Sequence, residues 1–196
     1  MRRLEFWYDL ASTYSYLSAM RIEALAEAAG VEIVWRPFLL GPIFKAQGWD
    51  TSPFNVYPAK GRYMVRDIER IAAARGLTFR LPERFPADSL LAGRVALAGE
   101  EDGWTAAFSR AAFLAGLGRG LDIADAHVVA GLLTSLGIEP GPAMERAGSA
   151  AIKKRLRSNT DAAREAGIFG APSFTTSDGE LFWGDDRLEP ALAWCA

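Results

Sequence analysis

Residues 4–36 open the chain as strand, helix, strand, and that order constrains the fold more than any other feature of the sequence. Leu4 to Tyr8 are apolar and aromatic apart from Glu5, the composition of a short, largely buried strand. Asp9 to Thr13 break the run. The chain then passes through Ser12-Thr13-Tyr14-Ser15-Tyr16 into a stretch rich in Ala, Leu and Glu that ends at Gly30. Ser12 or Thr13 supplies an N-cap and Gly30 a stop, so one helix is expected. Val31 to Arg36 form a second strand, which Pro37 ends or marks as an edge. A right-handed βαβ unit with parallel strands is the natural arrangement.

Gly41 to Pro58 are rich in glycine, proline and aromatics, and read as an irregular loop with a short helical piece around Ile43 to Gln47. A loop of this length in a compact domain is usually functional or mobile. From Lys60 to about Gly76 the pattern is helical. Ser89 to Gly99, Trp104 to Gly116, Asp125 to Leu136 and Met144 to Gly167 read as four more helices, the last breakable near Ser158-Asn159. Asp122 or Asp125 is placed to cap the helix containing His127. Strands return only at the end. Ser173 to Thr176 and Glu180 to Trp183 flank the turn signal Ser177-Asp178-Gly179, a hairpin, and a short helix follows from about Leu188 to Trp194. One sheet built from both ends of the chain, with a helical block inserted between them, is the expected architecture.

The composition narrows the function classes. Half of the 196 residues are hydrophobic and the formal net charge is −2, an ordinary globular balance with no basic surplus for nucleic acid. No secretory signal is readable, because Glu5 and Asp9 interrupt the apolar run after Arg2-Arg3. No stretch approaches the roughly 18 to 20 apolar residues that span a bilayer. The one cysteine, Cys195, cannot form an internal disulfide. These features point to the cytoplasm. One histidine and one cysteine leave only carboxylates as further metal ligands, without a motif, so no metal is expected. No Gly-x-Gly-x-x-Gly or Walker pattern supports a nucleotide site.

The chemistry left to this sequence lies where strands hand over to helices. First-turn N–H groups stabilise negative charge there. Ser12 stands at such a handover, either as a plain cap or as a donor to a bound anion such as a thiolate. It is a poor triad nucleophile, since His127 lies in an apolar helical block and no Gly-x-Ser-x-Gly surrounds it. Pro172, between a glycine-containing loop and an apolar strand, is either a cis residue that presents the backbone of Ala171 or a trans residue at an edge. Asp185-Asp186-Arg187 precede the last helix, where the acids either cap it or hold an ammonium group. Lys60 opens a helix, where the dipole favours anions; it is either a solvated lysine or faces a bound carboxylate.

Five blocks in order resemble the 2-hydroxychromene-2-carboxylate isomerases, a DsbA-like family similar to the kappa-class glutathione transferases. They are Tyr8-Asp9-Leu10-Ala11-Ser12-Thr13-Tyr14-Ser15-Tyr16-Leu17, Arg36-Pro37-Phe38, Pro58-Ala59-Lys60-Gly61-Arg62-Tyr63-Met64, Phe169-Gly170-Ala171-Pro172-Ser173-Phe174 and Phe182-Trp183-Gly184-Asp185-Asp186-Arg187-Leu188. The resemblance implies an α/β thioredoxin-like fold formed by about 1–59 and 160–196, with a DsbA-type helical insertion at about 60–159. In that comparison Ser12 takes the place of the first redox cysteine, so dithiol chemistry is lost.

The resemblance also implies an activity: glutathione-dependent cis–trans isomerisation of 2-hydroxychromene-2-carboxylate to trans-o-hydroxybenzylidenepyruvate, a step in aromatic breakdown. Its implied partners are glutathione and a small aromatic carboxylate or other electrophile, and its implied assembly is a homodimer. Ser12 would favour the glutathione thiolate, lowering the thiol pKa by about 1 to 2 units, or about 1.4 to 2.8 kcal/mol. Lys60 would meet carboxylates, Ala171 with cis Pro172 the cysteinyl backbone, Asp185 and Asp186 the γ-glutamyl end, and Arg187 nearby carboxylates. Phe38, Phe44, Trp49 and Asn55 would form the substrate pocket. Two departures from the family pattern stand out: Thr13 follows the serine in place of proline, and Gly48-Trp49 replaces a Gly-Asn pair, leaving Asn55 as the candidate substitute. The main alternative is a kappa-like transferase or peroxidase acting on other electrophiles. A non-catalytic thiol- or peptide-binding protein is the other.

Overall fold

A computed structural model describes residues 2–195. Its sheet has four strands: β1 (Arg3–Tyr8), β2 (Glu32–Pro37), β3 (Ser173–Thr176) and β4 (Leu181–Trp183), in the order β2-β1-β3-β4. β1 and β2 pair in parallel, as the strand–helix–strand opening requires, while β3 runs antiparallel to both β1 and β4. Phe6 faces Phe174 across the β1–β3 ladder. The two ends of the chain therefore build one sheet, and each end supplies one of its two inner strands, β1 and β3. Pro37 is both the last residue of β2 and part of an edge strand, where its missing N–H costs no ladder bond.

Strand alternation sorts the core into two faces. Leu4, Phe6 and Tyr8 point to one face and are fully buried, with Phe6 stacked on Tyr8 and Phe174 at centroid distances of 5.0 and 5.6 Å. The Tyr8 hydroxyl is paired with Ser109 Oγ at 2.6 Å, so this buried phenol is not left unsatisfied. Trp7 points to the opposite face, into a smaller cluster with Phe38, Ile43, Ala163 and Ile168.

The expected helix from Ser12 to Gly30 is in fact two, α1 (Thr13–Ala19) and α2 (Ile22–Ala29). Nothing local to Met20-Arg21 breaks helices. Arg21 leaves helical geometry (φ −133°) with its guanidinium on Asp185 and Glu189. A tertiary ion-pair network, invisible to periodicity, coincides with the break. The loop region holds α3 (Leu40–Ala46) and the single turn α4 (Pro53–Val56), more helix than expected.

The helical block comprises α5 (Pro58–Ala74), α6 (Leu90–Ala98), α7 (Thr105–Phe113, continued by a π turn at Leu114–Gly118), α8 (Ala126–Ser135), α9 (Pro140–Gly148) and α10 (Ala150–Glu165). The break expected near Ser158-Asn159 lies instead at Ser149, whose hydroxyl caps α10 by accepting the Ile152 N–H. Asn159 and Thr160 stay helical because their side chains have partners: Asn159 donates to the Pro37 carbonyl at 3.0 Å, and Thr160 donates to the Leu156 carbonyl and accepts the Leu39 N–H. Asp125 caps α8 as expected. The chain closes with a 3-10 turn at Asp185–Arg187 and α11 (Leu188–Trp194). Among the described residues no helix is long and apolar enough to cross a membrane.

Candidate active site

Ser12 is the N-cap of α1. Its backbone is extended, its oxygen accepts the Ser15 N–H at 3.2 Å, and its hydroxyl donates to the Ala171 carbonyl at 2.9 Å. Of the two readings of Ser12 the structure shows the cap, and the same side chain also faces the segment before Pro172. The Ala171–Pro172 peptide is cis. That segment is pinned on both sides, by Gly184 N–H on the Pro172 carbonyl at 3.0 Å and by Ser173 Oγ on the Gly170 carbonyl at 2.9 Å.

Ser12 and Ala171 lie in the wall of a cavity of about 1260 Å³. This exceeds the roughly 300–1,000 Å³ that serve one drug-sized ligand. α3 and the following loop contribute Phe44 and Trp49, whose rings lie 6.0 Å apart. α5 contributes Lys60, Tyr63, Met64, Asp67 and Ile71, a spacing that puts them on one helix face. Phe169 and Trp183 pack together at 4.8 Å on the sheet side. Lys60 stands in the first turn of α5, exposed, with its ammonium 5.2 Å from the Tyr57 ring centroid.

Several expected site residues lie elsewhere or are otherwise engaged. Phe38 is 1% exposed and packs edge-on against Trp7 in the second core cluster, outside the cavity wall. Its neighbour Pro37 ends β2, and the alternation that follows turns Phe38 inward. Asn55 also lies outside the wall; it is exposed, and its amide donates to Thr51 Oγ1 at 3.0 Å. It therefore does not replace the missing asparagine as placed. Asp185 borders the cavity, but its carboxylate is buried and already bound by Ser18 Oγ (2.9 Å), Arg21 and Arg75 (2.7 Å). Asp186 borders the cavity with its side chain 72% exposed, paired to Arg187 at 3.0 Å. Arg187 itself is outside the wall. Of the two acids, Asp186 is the one available to an ammonium group. His127 is an exposed residue in the first turn of α8 and does not border the cavity.

Two features of the wall escaped the sequence reading. Asp9, read only as a strand breaker, is a buried carboxylate bordering the cavity. Burial pushes its carboxyl above the usual range, with the Asp88 charge adding to the push, against the N–H groups of Leu40 and Ala11 and the Ser89 hydroxyl, which hold it down. The second is Tyr14, whose hydroxyl donates to Asp67 at 2.8 Å in the cavity wall; burial first, then Asp67, pushes this phenol up. Asp9 had a legible signal, an acid three residues ahead of a helix cap. The Tyr14–Asp67 pair joins residues 53 positions apart and had none.

A helix N-cap facing the backbone before a cis-proline, on a sheet made from both chain ends, is a shared architecture, and the comparisons agree. The DSBA-like thioredoxin domain profile matches residues 3–192. The chain belongs to the DSBA-like thioredoxin domain family. Its fold is the family's mixed α/β thioredoxin-like fold with helical insertions. Within this DSBA-like group the chain is 29% identical to a 2-hydroxychromene-2-carboxylate isomerase of Sphingobium xenophagum over 190 residues, covering 96% of this chain and 95% of the relative. It is 25% identical to rat glutathione S-transferase kappa 1, covering 96% and 88%. A solved 2-hydroxychromene-2-carboxylate isomerase superposes with a TM-score of 0.87 at 26% identity, covering 98% and 93%. The resemblance carried by the five sequence blocks is thus met along the whole chain. Unlike a dithiol oxidoreductase, this DSBA-like domain has a single cysteine, Cys195, and it lies beyond α11.

Proposed function

We propose that this chain is a glutathione-dependent isomerase that converts 2-hydroxychromene-2-carboxylate to trans-o-hydroxybenzylidenepyruvate. The observation that carries the reading is Ser12: a hydroxyl at a helix N-cap, bordering a cavity of about 1260 Å³, in a chain without a redox pair. The names of the relatives, isomerases and kappa-class glutathione transferases, agree with it. The homodimer implied by the resemblance, and the cytoplasmic setting to which the single cysteine and the unreadable secretory signal point, belong to the same proposal.

The polar groups around the cavity suit a zwitterionic thiol tripeptide. Lys60 offers an ammonium to a carboxylate, Asp186 a carboxylate to an ammonium, and Ser12 a proton to sulfur. When bound, glutathione supplies a thiolate that adds to the conjugated ring-opened substrate, turns its double bond into a single bond that can rotate, and leaves regenerated. The protein's own part is electrostatic and positional. Ser12 turns its O–H from the Ala171 carbonyl to the sulfur, where a charged acceptor makes the stronger bond. The first-turn N–H groups of α1 add their dipole to the same charge. Phe44, Trp49, Tyr63 and Met64 hold the ring of the second ligand and exclude water. Turnover of 2-hydroxychromene-2-carboxylate with and without glutathione tests the reading. A rate that requires glutathione supports it, and no rate in either case refutes it.

A second reading, glutathione transfer to uncharged electrophiles, has a specific observation in its favour. Among the described residues that border the cavity Lys60 is the sole Lys or Arg, against Asp9, Asp50, Asp67, Asp88, Asp185 and Asp186, of which Asp185 is already paired to Arg21 and Arg75. Two helix ends nearby are closed by the chain itself, the Leu40 N–H by Asp9 and the Leu90 N–H by Asp88. With Lys60 given to glutathione, a substrate carboxylate finds no further cation in the wall. Product analysis separates the two readings: returned glutathione with an isomerised product supports the isomerase, an accumulating conjugate the transferase.

A further inference from the structure

Asp9 follows β1 and is 4% exposed. Its Oδ1 accepts the Ala11 N–H at 2.9 Å and the Ser89 hydroxyl at 2.6 Å, and its Oδ2 accepts the Leu40 N–H at 2.7 Å. Its own carbonyl accepts the Ser12 N–H at 2.8 Å. Three separate segments therefore converge on one carboxylate: the loop that carries Ser12, the first turn of α3, and the residue that enters α6. α3 brings Phe44 to the cavity, and Trp49 follows it. Burying a carboxylate is costly, and an apolar side chain would fill the same space without that cost. What the carboxylate alone supplies is acceptor capacity for three donors from three directions.

We propose that Asp9 is a positioning residue: through Ala11, Leu40 and Ser89 it holds Ser12 in fixed register with the aromatic wall that α3 carries and with the start of α6. Its consequence for turnover rests on the isomerase reading; its structural consequence does not. A thiol held at Ser12 meets the second ligand only if that wall stands at the right distance, and misplacement by about 1 Å costs up to a hundredfold in rate.

Asp9→Asn keeps the shape but offers one carbonyl and one NH2, so at least one donor faces a donor. Hydrogen exchange followed by mass spectrometry is expected to speed at least tenfold in peptides covering 10–15 and 39–46, with β1 and β3 keeping wild-type protection. Uniform acceleration across the chain, or none, overturns the proposal. In the presence of glutathione, kcat for 2-hydroxychromene-2-carboxylate is expected to fall at least tenfold while the glutathione Kd stays within about threefold. A wild-type kcat in the folded variant overturns the positioning role. If Asp9→Asn does not fold, Ser89→Ala takes its place, with faster exchange at 85–91 expected and wild-type exchange overturning the proposal. If the wild-type protein neither turns over this substrate nor binds glutathione, the isomerase reading fails and the exchange result still decides the role of Asp9.

Discussion

The Ser12 hydroxyl gives its one proton to the Ala171 carbonyl at 2.9 Å while its oxygen takes the Ser15 N–H. A sulfur arriving at this helix end competes with a neutral carbonyl for that proton, and hydrogen bonds to ionised acceptors are roughly twice as strong. Ser12→Ala is therefore expected to raise the pKa of bound glutathione by about one unit, since the hydroxyl's share is lost and the helix N–H groups remain. Ultraviolet titration of the thiolate in the complex measures this directly. Thiolate-dependent turnover near neutrality should fall about tenfold.

Ser12→Cys tests the same geometry without any turnover. A thiol at the N-cap has a lowered pKa and is nucleophilic as the thiolate. It should attack oxidised glutathione, forming a mixed disulfide at position 12 and releasing one glutathione thiolate. Intact mass after incubation should show one added glutathionyl group, while wild-type protein, whose cysteine at 195 is partly buried with its thiol pushed up first by burial, should show far less.

The two neighbouring acids at 185 and 186 should separate cleanly on mutation. Asp185→Asn removes the charge that Arg21 and Arg75 share, at side-chain exposures of 18% and 30% for the two arginines. Breaking a fully buried pair costs about 3–5 kcal/mol; because both guanidiniums reach solvent, about 2 kcal/mol is expected here. Urea unfolding measures it. Asp186→Asn should leave stability nearly unchanged and weaken glutathione binding by about three- to tenfold, measured by calorimetry.

Asp9 gives a pH dependence with a definite sign. Because burial raises its carboxyl above the ordinary 3.8, the folded chain keeps that proton to higher pH than the unfolded chain. Its contribution to stability is therefore full below the unfolded pKa and declines as pH rises through the folded one. Asn does not titrate, so the stability of wild type minus that of Asp9→Asn should decrease with rising pH from about 4 upward until Asp9 is fully ionised in both states. Urea unfolding of both proteins across that range checks it. A difference that grows with pH would mean that the three donors outweigh burial.

By itself the sequence determined the strand–helix–strand opening, the hairpin, the sheet shared by the two ends and a helix cap at Ser12 or Thr13, which the structure resolves to Ser12. Each is a local signal: apolar alternation, a glycine stop, a turn tripeptide, a hydroxyl before a helical run. The five ordered blocks extended this to a fold family. Tertiary structure decided what local patterns do not encode. The helix after Ser12 divides where Arg21 meets Asp185, a partner 164 residues away. Phe38 and Asn55 have the chemistry of pocket residues, yet packing against Trp7 and the amide bond to Thr51 place them elsewhere. The adjacent acids look equivalent in sequence, but only the fold buries Asp185 between arginines and leaves Asp186 at the cavity. Propensity and periodicity act over a few residues, whereas burial and ion pairing depend on which distant segments are brought together.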